Sequence, residues 1–216
     1  MGLNKQKGNM YAFVTHTWNP IRGKCPHNCS YCYMKVFNVG EFRFIESELK
    51  TNLGEDNFIF VGSSTDMWVK EAWSWWLDRI LEHCGQYKNR YLFQSKTPER
   101  FHWFNFPDNT VLGTTLETNR SCGDISEAPP IGHRVAWMKE LASPKMISIE
   151  PIMDFDLDYF TDWIEQIAPE FVSIGADSKG HNLPEPSAEK VQQLIEHLQG
   201  ITTVKIKDNL KRLLGQ

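Results

Sequence analysis

Seven short stretches of apolar, β-branched or aromatic residues alternate along the chain with segments of helical periodicity. The stretches lie at residues 10–14, 58–61, 91–93, 111–116, 146–149, 171–174 and 202–206. Helical spacing is clearest at residues 73–84, 157–167 and 187–200, and the last of these begins at Ser187 as N-cap and stops at Gly200. Strands without polar alternation, separated by helices, predict a parallel sheet with helices on its outer face.

The length of the chain limits the architecture. The sequence has 216 residues, and a strand–helix–strand unit takes roughly 30, so the chain holds about seven units. A decorated eightfold barrel takes about 250 residues. We therefore predict an α/β fold, an open or partial barrel, with residues 1–216 forming a single domain. No apolar run approaches the roughly 20 residues of a membrane span, so no membrane association is expected.

Polar residues follow nearly every apolar stretch. In parallel α/β folds the chemistry gathers at the carboxyl ends of the strands, so we expect many of these residues to share one pocket. Each of them taken singly is explained equally well as a loop start or a helix cap. The set is His16, Asn19, Ser63, Ser64, Asp66, Gln94, Ser95, Lys96, Thr114, Thr115, Glu117, Glu150, Ala176, Asp177, Lys205 and Lys207.

Three cysteines crowd into the loop after the first predicted strand. Cys25, Cys29 and Cys32 have the spacing C-x3-C-x2-C, which lets three thiolates converge on one metal centre. A zinc site would need a fourth ligand, for which His27 or His16 is available. An iron–sulfur cluster usually takes four thiolates, so three would leave one iron open to a small molecule. A chance group of buried thiols is the third interpretation, although buried cysteines have no reason to share a polar turn.

Charge and cysteine usage indicate the compartment. The sequence contains 5 cysteines, an odd number, and shows no export signal, which favours a reducing cytoplasm over disulfides. The formal net charge of -4 argues against sequence-blind binding of nucleic acid, which depends on a basic surface. A local basic groove remains compatible with that charge.

The cysteine motif, with Tyr31 just before its last cysteine, resembles the signature of radical S-adenosylmethionine (SAM) enzymes. Other segments resemble a phage-borne branch of that superfamily, which is distantly akin to spore photoproduct lyase. These segments are TWNP at 17–20, SSTD at 63–66, QSKTPERF at 94–101, GTTLETNR at 113–120, SIEP at 148–151 and KDNL at 207–210. The resemblance implies a partial (β/α)6 TIM-like barrel, with parallel strands inside, helices outside and the cluster loop after the first strand.

The resemblance also implies the cofactors. Cys25, Cys29 and Cys32 would hold a 4Fe-4S cluster whose fourth iron chelates SAM. Reductive cleavage of SAM would give a 5′-deoxyadenosyl radical that abstracts a hydrogen atom from the substrate. An external one-electron donor of the flavodoxin or ferredoxin type is then required. The protein is expected in the cytoplasm of a phage-infected or prophage-bearing bacterial host.

Several residues match positions that contact SAM in the family. Tyr31 matches the aromatic residue near the adenine, and the segment around Ser63 replaces the usual Gly-Gly-Glu. Whether Glu150 faces SAM or the substrate stays open. The expected SAM contacts are Tyr31, Ser63, Ser64, Asp66, Thr115, Glu117 and Glu150.

The substrate is expected to be a nucleic-acid base or a modified nucleotide, for example in a rearrangement or isomerisation during phage DNA hypermodification. A small metabolite is the alternative, and a non-catalytic zinc module with three cysteines and a histidine is a second one. Cys122 is a candidate for returning a hydrogen atom to the product radical, with a passive loop thiol as the alternative. Expected substrate contacts are Gln94, Lys96, Asp177, Lys205 and Lys207.

The remaining cysteine and the tryptophans are assigned mostly to the core. Cys84, Trp73 and Trp76 share one helical stripe, and Trp163 lies on another. Three further tryptophans near strand ends are equally compatible with a place beside the pocket; they are Trp18, Trp68 and Trp103. No second cysteine cluster is visible, so no auxiliary cluster domain is expected.

Overall fold

The computed structural model describes residues 2–121 and 125–215. Its main sheet has eight strands in the order β1-β2-β5-β6-β7-β8-β9-β10, and a small second sheet pairs β3 with β4. The strands are β1 Asn4–Lys5, β2 His16–Trp18, β3 Ile21–Arg22, β4 Arg43–Phe44, β5 Phe58–Val61, β6 Arg90–Gln94, β7 Thr110–Thr115, β8 Lys145–Ile149, β9 Phe171–Ile174 and β10 Thr203–Ile206.

All neighbouring strands from β2 to β10 of the main sheet are parallel, and β1 runs antiparallel at one edge. The α-helices are α1 Ser74–Gly85, α2 Ile131–Lys139, α3 Leu157–Ile167, α4 Ala188–Gln199 and α5 Lys211–Leu214. A 3₁₀ helix, Pro98–Trp103, connects β6 to β7. Within the described residues β1 and β10 are the two edges of the sheet, so the barrel stays open.

Side chains alternate across the sheet, as the pleat of a strand requires. Outward residues such as Ile59 and Ile147 pack with buried helix residues such as Leu77 and Ile164 in one large core. Inward residues form a second, smaller cluster, which includes Phe60, Leu92, Val111, Met146 and Phe171. These side chains fill the barrel interior away from the carboxyl ends of the strands. Space for a ligand is left at the carboxyl ends.

The apolar stretch at residues 10–14 is not a strand, contrary to the prediction. It forms a loop whose side chains enter the barrel through the gap between its edges. The Tyr11 ring stacks on Phe13 at 5.0 Å, and Phe13 meets Phe171 edge-on at 4.8 Å. The stretch is apolar because it fills a core, and the first parallel strand is β2, directly before the cysteine loop.

The three predicted helices, which are α1, α3 and α4, lie within one residue of their predicted bounds, but one tryptophan assigned to the core is exposed. Cys84 is buried as expected, whereas Trp73 is 65% exposed, because α1 begins one residue after it. Trp18 and Trp68 are fully buried in the outer core and Trp103 is exposed, so none of the three flanks the cavity. Among the described residues, no helix combines the length and apolar character needed to cross a bilayer.

Candidate active site

One cavity of about 540 Å³ opens at the carboxyl ends of the strands. Parallel strands bring their polar carboxyl-end residues to this edge, as the sequence predicted. The expected site residues that line the cavity are Cys25, Cys29, Tyr31, Cys32, Ser63, Ser64, Asp66, Gln94, Lys96, Thr115, Glu150, Asp177 and Lys207.

Two expected residues are placed differently, and a third is not described. Glu117 is fully buried behind the cavity wall. Lys205 does not line the cavity, because its ammonium group lies 5.3 Å from the ring centres of both Phe13 and Phe171 in the barrel interior. Cys122 lies outside the described residues.

The three loop cysteines line one end of the cavity and are free thiols. Cys29 is buried, and Cys25 and Cys32 are partly exposed. Burial, with the charge of Asp66, raises the pKa of Cys25 to about 11. A metal must therefore displace a proton from this thiol, as is usual for thiolate ligands.

Each of the two candidate fourth ligands of a zinc site has one ring nitrogen in a hydrogen bond. Nε2 of His27 lies 2.8 Å from Oδ2 of Asp66, and Nδ1 of His16 lies 3.0 Å from the Thr15 hydroxyl. Across residues 2–121 and 125–215, no three His, Cys, Asp or Glu side chains approach closely enough to hold one ion. A four-iron cluster places each thiolate on a different iron and so spaces them more widely. The three free loop thiols line one end of the cavity, and the buried ammonium group of Lys96 lies next to one of them. This arrangement fits such a cluster.

Asp66 ties the cysteine loop to the sheet. Its carboxylate accepts hydrogen bonds from His27, from the Ser95 hydroxyl at 2.9 Å and from the backbone N–H of Lys96 at 2.8 Å. Burial alone would raise the pKa of Asp66, but the hydrogen bond and charge of His27 outweigh it and lower the pKa. The side chain expected to meet SAM therefore already has donors from two other segments of the chain, the cysteine loop and the residues after β6.

Ser63 and Ser64 are positioned by Asn19, from the segment that resembles the family at 17–20. The side-chain oxygen of Asn19 accepts from the Ser64 backbone N–H at 2.9 Å and from the Ser63 hydroxyl at 3.2 Å. Tyr33 donates to the Ser63 carbonyl at 2.8 Å. The turn after β5 is thus fixed at the cavity edge by two other elements.

A buried ionic cluster stands behind Tyr31. Oε1 of Glu117 accepts from Tyr31 and, at 2.7 Å, from Lys96, while Oε2 accepts from Arg134 at 2.9 Å. Burial would raise the pKa of Glu117, but the charges of Lys96 and Arg134 lower it to about 2. Burial would likewise lower the pKa of Lys96, and the charges of Glu117 and Cys29 raise it. Glu117 and Lys96 are therefore both charged at neutral pH.

Sequence reasoning missed Arg134. This arginine is 1% exposed and lies on the buried face of α2, beside Ile131, Val135 and Met138. A charged residue at the spacing of an apolar stripe was the available signal, because a buried arginine needs a buried partner. That partner is Glu117.

The wall opposite the cysteines comes from the last strands and the loop at residues 6–14. Glu150 pairs with Lys207 at 2.8 Å, and Asn209 donates to Glu150 at 3.2 Å. The Tyr11 hydroxyl bonds to Ser148 at 2.8 Å and to Gln94 at 3.0 Å, so it joins β8 to β6.

The carboxylate of Asp177 forms its hydrogen bonds within its own loop. Its carboxylate lies 2.6 Å from Nδ1 of His181 and accepts the backbone N–H of Lys179 at 3.1 Å. Burial would raise the pKa of Asp177, but the hydrogen bonds from His181 and the loop backbone lower it. Asp177 thus shapes the cavity edge more than it offers a free carboxylate.

The mouth of the cavity is aromatic and basic. Tyr33 and Phe37 line it and are 45% and 57% exposed. Lys7 and Lys179 also line it and are exposed. Exposed rings can stack on a flat base, and exposed cations can neutralise a phosphate.

No protein-family model matches the sequence, and no curated protein matches it either. Solved structures do match. A spore photoproduct lyase variant with bound AdoMet and dinucleoside spore photoproduct aligns with a TM-score of 0.68 at 10% identity, over 95% of this chain and 80% of that one. Another spore photoproduct lyase variant, with dinucleoside spore photoproduct, gives 0.66 at 10% identity over the same shares.

A third match is Streptococcus suis SuiB bound to S-adenosylmethionine. Its TM-score is 0.58 at 11% identity, over 88% of this chain and 49% of that one, so this chain spans about half of SuiB. At these identities the likeness concerns the fold. The predicted fold class is confirmed: this chain shares the partial barrel of spore photoproduct lyase and SuiB.

Proposed function

We propose that this chain is a radical SAM enzyme that reductively cleaves SAM and uses the resulting radical to abstract a hydrogen atom. The observation that carries the proposal is the opening of Cys25, Cys29 and Cys32, from one loop, into a single cavity of about 540 Å³. Structures of the same fold contain AdoMet. A cavity of that size accommodates a ligand such as SAM together with part of a substrate.

The residues divide into three tasks in this proposal. The three loop cysteines hold the 4Fe-4S cluster, which when bound supplies the electron that splits SAM into methionine and a 5′-deoxyadenosyl radical. Ser63, Ser64 and Thr115 line the cavity with hydroxyl and backbone groups that can orient SAM. Glu117, expected from the sequence to contact SAM, is instead assigned to holding Tyr31 and Lys96 in place.

We propose a nucleobase or nucleotide as the substrate. The rings of Tyr33 and Phe37 and the cations of Lys7 and Lys179 at the mouth support this choice. Spore photoproduct lyase, which shares the fold, has been solved with a dinucleoside spore photoproduct. Rearrangement or isomerisation of a base during phage DNA hypermodification is one concrete form, and a small metabolite is the alternative. The proposed substrate contacts are Gln94 on β6 and, on the wall opposite the cysteines, Glu150 and Lys207.

The proposal includes a single catalytic domain, an external flavodoxin or ferredoxin-type electron donor and a reducing cytoplasm. All four cysteines in the described part of the chain are free thiols, which suits such a compartment.

Anaerobic reconstitution with iron and sulfide, followed by dithionite and SAM, tests the function. We expect a brown protein with about four irons per chain that forms 5′-deoxyadenosine. Cys29→Ala should abolish this product, whereas Cys84→Ala removes a buried thiol far from the loop in sequence and serves as the matched control. A colourless protein with one zinc per chain would replace the proposal with the zinc module.

The substrate class is tested separately by binding. Labelled single-stranded DNA should bind the reconstituted protein more weakly as salt increases, and Phe37→Ala should weaken binding further through loss of a stacking ring. Binding that does not respond to salt would contradict a polymeric nucleic acid and favour the small metabolite. Val36→Ala, an exposed neighbour of Phe37, is the control for surface exposure.

A further inference from the structure

The three loop cysteines have unequal surroundings. Cys29 is 7% exposed and its sulfur has two polar neighbours, the Ser126 hydroxyl at 3.0 Å and the Lys96 ammonium group at 3.4 Å. Cys25 and Cys32 are partly exposed. A thiolate sulfur can only accept hydrogen bonds, so with Cys29 deprotonated both neighbours act as donors.

The Lys96 ammonium group is held in this position by several contacts. It pairs with Glu117 at 2.7 Å, bonds to the Tyr31 hydroxyl and lies 4.6 Å from the centre of the Tyr31 ring. Its side chain is 14% exposed, so water screens it little. The cation is therefore fixed beside one particular sulfur.

The ionic cluster behind Cys29 is not neutral by itself. Lys96 and Arg134 carry two positive charges, and both pair with the single carboxylate of Glu117. Burial of an excess charge is costly unless an opposite charge lies nearby. The Cys29 sulfur, in contact with Lys96, is where a thiolate would supply that charge.

Ser126 reaches Cys29 from the segment between β7 and α2. That segment is joined to the cysteine loop by two backbone hydrogen bonds of 2.8 Å, from Ser30 to Ile125 and from Glu127 to His27. The hydroxyl of Ser126 is therefore positioned by main-chain pairing and does not depend on the orientation of Lys96.

We propose that Lys96 and Ser126 are positioning residues that raise the reduction potential of the cluster through the sulfur of Cys29. This inference rests on the proposed function. Reduction adds negative charge to the cluster, and a fixed cation and hydrogen bonds to a ligand sulfur stabilise that charge. The effect acts through Cys29, the ligand sulfur that both residues contact.

The test is a redox titration of the reconstituted protein without SAM, followed by electron paramagnetic resonance. Lys96→Met keeps the length of the side chain and removes its charge, and we expect a more negative midpoint potential. Ser126→Ala should shift the potential in the same direction, and Lys96→Arg should keep it near that of the wild type. Lys35→Met is the control, because it removes an exposed lysine of the same region whose ammonium group donates to the Asn28 carbonyl at 3.2 Å and not to a cysteine sulfur.

The outcomes separate this inference from the proposed function. A wild-type protein that assembles no cluster would contradict the function itself. A cluster in the wild type whose potential changes no more in Lys96→Met than in Lys35→Met would overturn the role of Lys96. An unchanged potential in Ser126→Ala would overturn the role of Ser126, and this variant decides the matter if Lys96→Met fails to load iron.

Discussion

At the scale of single residues, Glu117 holds several side chains of the site in place. One carboxylate, fully buried, binds Lys96, Arg134 and Tyr31, which come from three different segments. Removing one partner of such a cluster is strongly destabilising, because it leaves a buried charge without compensation. The charged state of Glu117 therefore links protein stability to pH.

We expect Glu117→Gln to reduce stability at neutral pH and to flatten its acid dependence. The lowered pKa, about 2, means that the carboxylate stabilises the fold above its ordinary pKa. That contribution, about 3 kcal/mol, is lost as the pH falls from about 4.5 toward 2. Urea denaturation across this range measures the effect. Glu55→Gln, at an exposed position, should leave the slope intact, and an unchanged slope in Glu117→Gln would contradict the assignment.

The residues of a sequence motif were predicted from the sequence, whereas most residues that hold the motif in place were not. The spacing of Cys25, Cys29 and Cys32 was sufficient to locate the cavity end that they line. The partners of that loop, Arg134 and Ser126, are distant in sequence and come close only through the sheet. Asp66 was found as a site residue, but its bonds to the chain's own donors depend on three-dimensional contacts that no local pattern contains.

At the scale of elements, periodicity predicted the helices α1, α3 and α4 but not α2 or α5. Six of the seven predicted strands are present. The exception, residues 10–14, has the composition of a strand but lies in the barrel interior as a loop. A short apolar run cannot by itself distinguish a strand from another buried segment. The hydrogen-bonding partners of a segment decide, and β2 already occupies the place between β1 and β5.

The turn after β5 depends on glycine. Gly62 has a φ of 82°, and a Cβ there would lie 2.8 Å from the sulfur of buried Met67. We expect Gly62→Ala to lower the free energy of unfolding by more than the roughly 1–2 kcal/mol of a left-handed backbone alone. Gly8→Ala isolates the backbone term, since Gly8 has a φ of 62° and nothing within 4 Å. Equal losses in the two variants, measured by urea denaturation, would exclude a packing clash at Gly62.

At the scale of the whole molecule, the cavity has two walls of different origin. The cysteine loop is held by segments that follow β5, β6 and β7, through Asp66, Lys96 and Ser126. The opposite wall comes from β8, β9, β10 and the loop at residues 6–14. Tyr11 joins the walls, because its hydroxyl reaches both Gln94 on β6 and Ser148 on β8.

Tyr11 therefore contributes to both the core and the cavity, and two substitutions separate these contributions. Tyr11→Phe removes only the hydroxyl, and we expect it to cost about 1 kcal/mol of stability while loosening Gln94 and Ser148. Tyr11→Ala also removes the ring from the interior cluster and should cost about 3 kcal/mol or more. Thermal and urea unfolding distinguish the two. Similar losses in both variants would show that the ring contributes little to the core.

The separate origin of the two walls has an evolutionary consequence. Among the described residues, the hydrogen bonds that anchor the cysteine loop come from the first half of the barrel and the segment after β7. Substitutions in β8, β9, β10 or the loop at residues 6–14 can then reshape one side of the cavity while the half that holds the cysteine loop is inherited unchanged. A lineage with this fold could acquire new substrates by varying one wall, and a designer could graft a foreign wall onto the retained half.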